Sequence, residues 1–450
     1  MTKEMGSRRA LPWVIAAATL IWGFGASAYS YRALSFNLHG YHPMGELPRY
    51  FEDRDGKLKP ADSNLFFFKY AELARGHKAR LDLLAAELQA LKPDLVFLQE
   101  IGAGEARSPK TCELFESSRG VAEDAFSANS ALRLTARTTR LGLPYTPLLS
   151  CRGNTGWVTD PNTFQDTRIV RVDAKGRRET VFDFGENPYP HGLIVEGLAL
   201  LVSPRFRVLE SGSWKLPIRG TNETFHVQFA ALAPDSGKGW ILAANVHGGH
   251  KLRHFEQAIA LRHALLDYAR DRAHFGRYQG PVVGGDFNAR LWRPGLARSE
   301  GDAGEIATLP WELKVDGFFD ARAELPRLEA SLDAYNRDKK NKEWATITDP
   351  TEARGRIRTA VDGLRALLDR GARPWTDSLW ESNRSGACKQ WRDELASITE
   401  PACSRSTLID HILVEDSAQV ERSVVLYPKN NWQRLDTLSD HPAVMAEFNF

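Results

Sequence analysis

The chain has 450 residues, of which 42% are hydrophobic and 26% charged, the balance of a soluble globular protein with enough apolar material for one large domain or two ordinary ones. Lysine and arginine number 59 against 57 aspartates and glutamates, a formal charge of +2. Near-neutrality excludes a global field able to hold a polyanion such as duplex DNA, so any nucleic-acid binding would need a local patch.

In chain order, Lys3, Arg8 and Arg9 precede an uncharged stretch over residues 10–31 that contains the small-residue site Ala26-Ser27-Ala28. That order predicts an export signal cleaved after Ala28. Cleavage removes three bases and Glu4, leaving a formally neutral chain. The uncharged stretch is also long enough to be retained as a membrane anchor. Residues 1–28 are therefore read as signal peptide or N-terminal anchor and 29–450 as the functional domain of a periplasmic or secreted monomer, which meets a membrane only if the segment is uncleaved. Cys112, Cys151, Cys388 and Cys403 form an even set, suited to disulfides in an oxidising compartment. Of the three possible connectivities, Cys112 with Cys151 and Cys388 with Cys403 closes the shortest loops.

YRALSFNL alternates apolar and polar residues, the period of a strand with one buried face, and Asn37 stands at its end. Leu81, Leu84, Leu88 and Leu91 then recur at helical spacing until Pro93 forbids continuation. The run LVFLQE reads as a buried strand ending on Glu100. A segment at about 102–190, rich in Gly, Asn, Thr and Pro, interrupts the pattern. Strands resume in EGLALLVS, which opens on Glu196, and in WILAANVH, which ends on His247; a helix follows from about Leu252 to Arg270. PVVGGDFN is a short buried strand leading to Asp286 and Asn288. A second interruption, at about 297–406, is charged and partly helical, with Ile357, Val361, Leu364, Leu367 and Leu368 on one face and Gly371 placed as a C-cap. Late strands lie in TLIDHILV, VVLY and AVMAEFNF. Strands alternating with helices predict an α/β protein. The polar residues that end its apolar strands are what a site at one edge of a sheet requires.

Four motifs in order, LSFNL, DLVFLQE, GGDFNA and SDHPAV, with IDHILV before the last, resemble the endonuclease/exonuclease/phosphatase superfamily. The resemblance runs from Tyr31 to Phe450 apart from the two interruptions. It implies a four-layer α/β sandwich: two mostly antiparallel sheets packed face to face between helices. It also implies metal-dependent hydrolysis of a phosphoester, with Mg²⁺ or Mn²⁺ as cofactor, the substrate being nucleic acid, phospholipid head group or inositol phosphate.

Elementary chemistry converges on the same residues. A phosphoester needs its developing charge neutralised, a base for water, and donors for the phosphoryl oxygens, and carboxylate and amide oxygens are what Mg²⁺ prefers. The family motifs make Glu100 the direct metal ligand with Asn37 beside it, and Asp440 a further ligand or a group that holds one. His441 is the candidate base, because imidazole titrates near neutrality. Asp410, a carboxylate inside an apolar strand that must find a partner, would orient it. In the family pattern Asp286 helps bind or activate water, Asn288 bonds a phosphoryl oxygen and His247 meets the scissile phosphate, with Glu196 as its partner. Gly284 and Gly285 permit close backbone approach.

Rival readings find less. His247, His250 and His254 suggest zinc by proximity, but HExxH is absent and two glycines separate the first pair. No GxGxxG follows a strand, and neither GxxxxGK[ST] nor GxSxG occurs. An alternative of a different class is a catalytically silent member of the fold that binds a phosphorylated ligand or a protein partner. In the second interruption, Arg354, Arg356, Arg358, Arg365, Arg370 and Arg373 either face an anionic substrate or form a solvated helix face, and Trp375 and Trp380 either form an exposed apolar hairpin or fill a small core.

Overall fold

The computed structural model describes residues 30–38, 49–52, 55–60, 77–103, 129–154, 168–173, 175–183, 195–217, 224–237, 239–248, 254–287, 318–319, 325–326, 329, 350–397, 400–403, 410–415, 417–427 and 442–450. The expected signal or anchor, along with Cys112, His250, Asn288, Asp440 and His441, lies outside these residues. Among the described residues no helix is long and apolar enough to cross a membrane.

The elements in chain order are β1 (Tyr31–Asn37), β2 (Arg49–Glu52), β3 (Leu58–Pro60), α1 (His77–Leu91), β4 (Leu95–Ala103), α2 (Ser130–Arg140), β5 (Thr146–Asn154), β6 (Arg168–Val172), β7 (Arg178–Asp183) and β8 (Val195–Val202). They continue with β9 (Phe206–Pro217), β10 (Thr224–Pro234), β11 (Trp240–His247), α3 (His254–Asp271), β12 (Tyr278–Asp286), β13 (Phe318–Phe319), α4 (Pro350–Asp369) and β14 (Trp375–Asp377). The last are α5 (Ser378–Ser385), α6 (Ala387–Leu395), β15 (Glu400–Ala402), β16 (Asp410–Glu415), β17 (Gln419–Tyr427) and β18 (Ala443–Asn449).

Two seven-stranded sheets carry the fold, in the orders β15-β17-β18-β1-β4-β8-β5 and β13-β14-β16-β12-β11-β10-β9. Each is antiparallel except for one pair, β1 with β4 in the first and β11 with β12 in the second. The expected sandwich of mostly antiparallel sheets is what the chain forms.

Residue parity along the strands sorts the core. In β11, Ile241 and Ala243 join the large apolar cluster shared with the first sheet, whereas Leu242, Ala244 and Val246 pack with Leu261 and Leu265 of α3 on the outer face. Period-two alternation thus places Asn245 and His247 between the sheets. The same parity in β12 turns Val282, Gly284 and Asp286 inward. Gly284 is required there: a Cβ at that position would stand 2.5 Å from the Phe97 ring of the opposite sheet.

The helices expected from apolar spacing, α1, α3 and α4, form. Leu81, Leu84, Leu88 and Leu91 of α1 are each no more than 3% exposed, a burial that contributes about 1.5–3 kcal/mol per side chain. Asn129 caps α2 by accepting the Ala131 N–H at 2.9 Å. In α4, Val361, Leu364 and Leu367 are buried, Gly363 packs against Ile259 of α3, and Gly371 adopts φ +72° just past the helix end.

Neither interruption is wholly peripheral. Within 102–190, β5 pairs with β8 in the first sheet; within 297–406, β14 pairs with β16 beside the site strand. A third, four-stranded sheet, β3-β2-β6-β7, is one that the sequence pattern does not predict. Cys388 and Cys403 lie together with Cα atoms 5.8 Å apart, a separation a disulfide spans.

Candidate active site

Strand registry assembles the site at one end of the sandwich. In the second sheet His247 lies beside Asp286 across the parallel β11–β12 pair, and Asp286 lies opposite Asp410 across β12–β16. One row across three strands therefore carries an imidazole and two carboxylates. In the first sheet Asn37 pairs with Gln99, next to Glu100.

The two sheets meet through side chains. Asn37 Nδ2 donates to Asp286 Oδ2 at 2.9 Å and approaches Glu100 Oε1 at 3.4 Å. His247 Nε2 stands 3.5 Å from Glu100 Oε1 and 3.7 Å from Asp286 Oδ2. All four residues are at most 9% exposed, and in so dry a setting electrostatic interactions act at greater strength than in water. Glu100 has φ +51°, one of two non-glycine residues with positive φ among those described. A conformation that costs on the order of 1–3 kcal/mol persists where surrounding structure imposes it, often at functional sites.

Asp410 is fully buried. Asp440 and His441, its expected partner, immediately precede β18, which lies between β1 and β17. Glu196 lies near the start of β8, with its backbone paired to Gly102 and Gly153. The family pattern gives His247 to Glu196. The side chain of Glu196 lies outside those described; the described carboxylates of Glu100 and Asp286 stand 3.5 Å and 3.7 Å from His247 Nε2.

The donor set of carboxylate and amide oxygens suits Mg²⁺ or Mn²⁺, which bind through one or two carboxylates and complete their shell with water. Among the described residues no group of three or more His, Cys, Asp or Glu side chains could hold a metal ion. Of the three histidines in the zinc reading, His250 lies outside the described residues.

Several residues around the site carry no signal of their own in the sequence pattern. Gln99 Nε2 donates to Asn245 Oδ1 at 2.8 Å, and Asn245 Nδ2 in turn serves Leu98 O and Ala199 O, both at 3.0 Å. His411, whose ring lies 5.9 Å from that of Phe287, is hydrogen-bonded through Nδ1 to Asp377 Oδ2 at 2.8 Å. Asp377 also caps α5 by accepting the Trp380 N–H at 2.8 Å, so the second interruption is tied to the strand that carries Asp410. For His411 the one usable clue is a buried polar residue inside an apolar strand, one step from Asp410.

Some of the arginines and tryptophans of the second interruption have partners within the chain. Trp375 is buried beneath the Arg262 guanidinium and fills core. Arg365 pairs with Glu329 and Arg370 with Asp267, so these two arginines are engaged with acids of this chain.

Solved structures similar to this chain include truncated Caenorhabditis elegans TDP2, at 13% identity and TM-score 0.38, covering 94% of this chain and 98% of that one. The human Nocturnin catalytic domain with bound sulfate is similar at 12% identity and TM-score 0.37, covering 94% of each. An endonuclease/exonuclease/phosphatase family protein from Bacteroides thetaiotaomicron matches at 14% identity and TM-score 0.39, covering 94% of this chain and 95% of that one. No curated protein matches the sequence. The sequence itself matches the Endonuclease/Exonuclease/phosphatase family over residues 34–441, and the chain belongs to that family.

Proposed function

We propose that the protein is an exported, divalent-metal-dependent phosphoester hydrolase working by direct attack of water. The observation that carries this reading is the meeting of Asn37, Glu100, His247 and Asp286, from four strands of two sheets, in one buried cluster. A structural core has no use for two carboxylates beside one amide and one imidazole; a phosphoryl group and a cation do.

Glu100, Asn37 and Asp440 are the residues that would hold Mg²⁺ or Mn²⁺, which when bound neutralises charge developing on the phosphoryl oxygens. His441, oriented by Asp410, accepts the proton of the attacking water. Asp286 orients that water, and Asn288 and His247 donate to the phosphoryl oxygens. Cleavage after Ala28 and disulfides Cys112–Cys151 and Cys388–Cys403 belong to the same reading of an exported monomer. The substrate class, nucleic acid, phospholipid head group or inositol phosphate, is set by loops that vary on a shared core.

The test is release of phosphate or alcohol by purified residues 29–450 from plasmid DNA, sphingomyelin, phosphatidylinositol phosphates and a chromogenic diester. Cleavage of one class, abolished by EDTA and by His441→Ala, is the expected result. A folded protein that cleaves none of them with Mg²⁺ or Mn²⁺ present would replace this reading with a silent, ligand-binding member of the fold.

A further inference from the structure

Regular alternation along β4 would turn Glu100 the wrong way. Phe97 reaches Gly284 of the second sheet and Gln99 reaches Asn245, so odd-numbered residues face the other sheet and Glu100 should point with Leu98 toward the helices. A one-residue irregularity prevents this. Pairing with β8 passes from Leu98 opposite Ala199 to Ile101 opposite Gly197, three steps on one strand against two on the other. Such a bulge re-aims a side chain at the cost of the local ladder bonds. Within it Glu100 takes φ +51° and its carboxylate swings to Asn37 and His247.

The carbonyls beside the bulge are Leu98 O on β4 and Ala199 O on β8. Both receive the Asn245 amide, at 3.0 Å each, from the opposite sheet. Asn245 Oδ1 accepts from Gln99 Nε2, the side chain of the bulge itself, at 2.8 Å. Asn245 is fully buried, and Gln228 Oε1 lies 3.2 Å from the same amide nitrogen while Gln228 Nε2 donates to Leu148 O at 2.8 Å, extending the network to β5. Asn245 also lies on β11 two residues before His247.

We propose that Asn245 is a positioning residue for the metal-binding carboxylate: its amide holds the β4 bulge that aims Glu100 into the site, with Gln99 as its partner. The proposal rests on the reading of Glu100 as a metal ligand. A side chain that anchors a ligand's backbone acts on metal affinity before it acts on chemistry, and loss of such supporting bonds typically costs about 10–100-fold in affinity.

The experiment is titration of Mn²⁺ into the metal-free mature protein, followed by the loss of the free-ion electron paramagnetic resonance signal, with thermal melts to establish folding. Asn245→Leu keeps volume and removes every bond, and is expected to weaken Mn²⁺ binding about 10–100-fold. Gln99→Met leaves both carbonyls served by Asn245 and is expected to weaken it about three- to tenfold; it decides the question alone if Asn245→Leu does not fold. For either variant, kcat at saturating Mn²⁺ should return to near the parent value, a split that general destabilisation would not produce. Unchanged Mn²⁺ affinity in the folded variants, with affinity lost in Glu100→Gln, overturns the positioning role and leaves the metal reading intact. Unchanged affinity in Glu100→Gln overturns both.

Discussion

Strand β4 is bracketed by two buried carboxylates of opposite character. Asp94, just before the strand, accepts the Arg32 N–H at 3.0 Å and the Ser203 hydroxyl at 3.2 Å and is paired with the Arg205 guanidinium at 3.1 Å. Glu100, near the far end, instead meets the uncharged Asn37 amide and the His247 imidazole and sits in a backbone conformation disfavoured for its type. The two differ in exposure by only a few per cent. Burial is thus not what distinguishes these two carboxylates. They differ in surroundings and backbone: Asp94 has a guanidinium and two further donors, whereas Glu100, in a strained conformation, lies beside Asn37 and His247.

The largest effect that tests this contrast should come from Glu100→Gln. It should lower turnover by about 10²–10³-fold or more while leaving the melting temperature unchanged or raised, because function and stability compete at such positions. A sharp fall in melting temperature would make Glu100 structural after all. Arg205→Ala should do the reverse, destabilising the fold by about 1–3 kcal/mol as Asp94 loses its cation. The specific activity of folded protein should stay at the parent value, and a matching loss of activity without destabilisation would erase the distinction. Urea denaturation and initial rates on the same samples measure both.

The smallest effect concerns a third carboxylate, partly buried Glu87 on α1, where burial alone pushes the carboxyl up to about 7. Its folded-state value exceeds the unfolded one, so the native chain binds more protons between about 4.5 and 7 and loses stability as pH rises through that window. Glu87→Gln should therefore stabilise the protein at pH 8, on the order of 1 kcal/mol, and make no difference below pH 4. Melting curves of the two proteins that stay parallel from pH 4 to 8 would show that burial at this position costs nothing. Asp94 also has its carboxyl raised by burial, opposed by the Arg32 N–H and Arg205, so the same pH scan applied to Arg205→Ala should steepen the loss of stability with rising pH.

Much of this architecture is legible in the amino-acid sequence. The strands ending on Asn37, His247 and Asp286, the leucine face of α1 and the glycine after α4 lie where periodicity and capping chemistry place them, since those signals act within a few residues; β4, expected to end on Glu100, runs on to Ala103. Less is legible in the two interruptions. Strands β5 and β14 extend the main sheets, yet β14 is three residues long and β5 contains a proline and a glycine, so neither carries a periodic pattern of its own. The pairing of His411 with Asp377 is hidden for the same reason.

By itself the sequence determined which side chains stand at strand ends and which strand faces are apolar, because alternation, helix periodicity and glycine placement are properties of a short window. Only the tertiary structure decided that Asn37 meets Asp286 across 249 positions of chain, that His247 faces Glu100 and Asp286, and that a single extra residue in β4, held by Asn245 from the other sheet, turns Glu100 toward them. Sheet registry and a one-residue bulge leave no periodic trace in a sequence; they are set by how two finished sheets fit together.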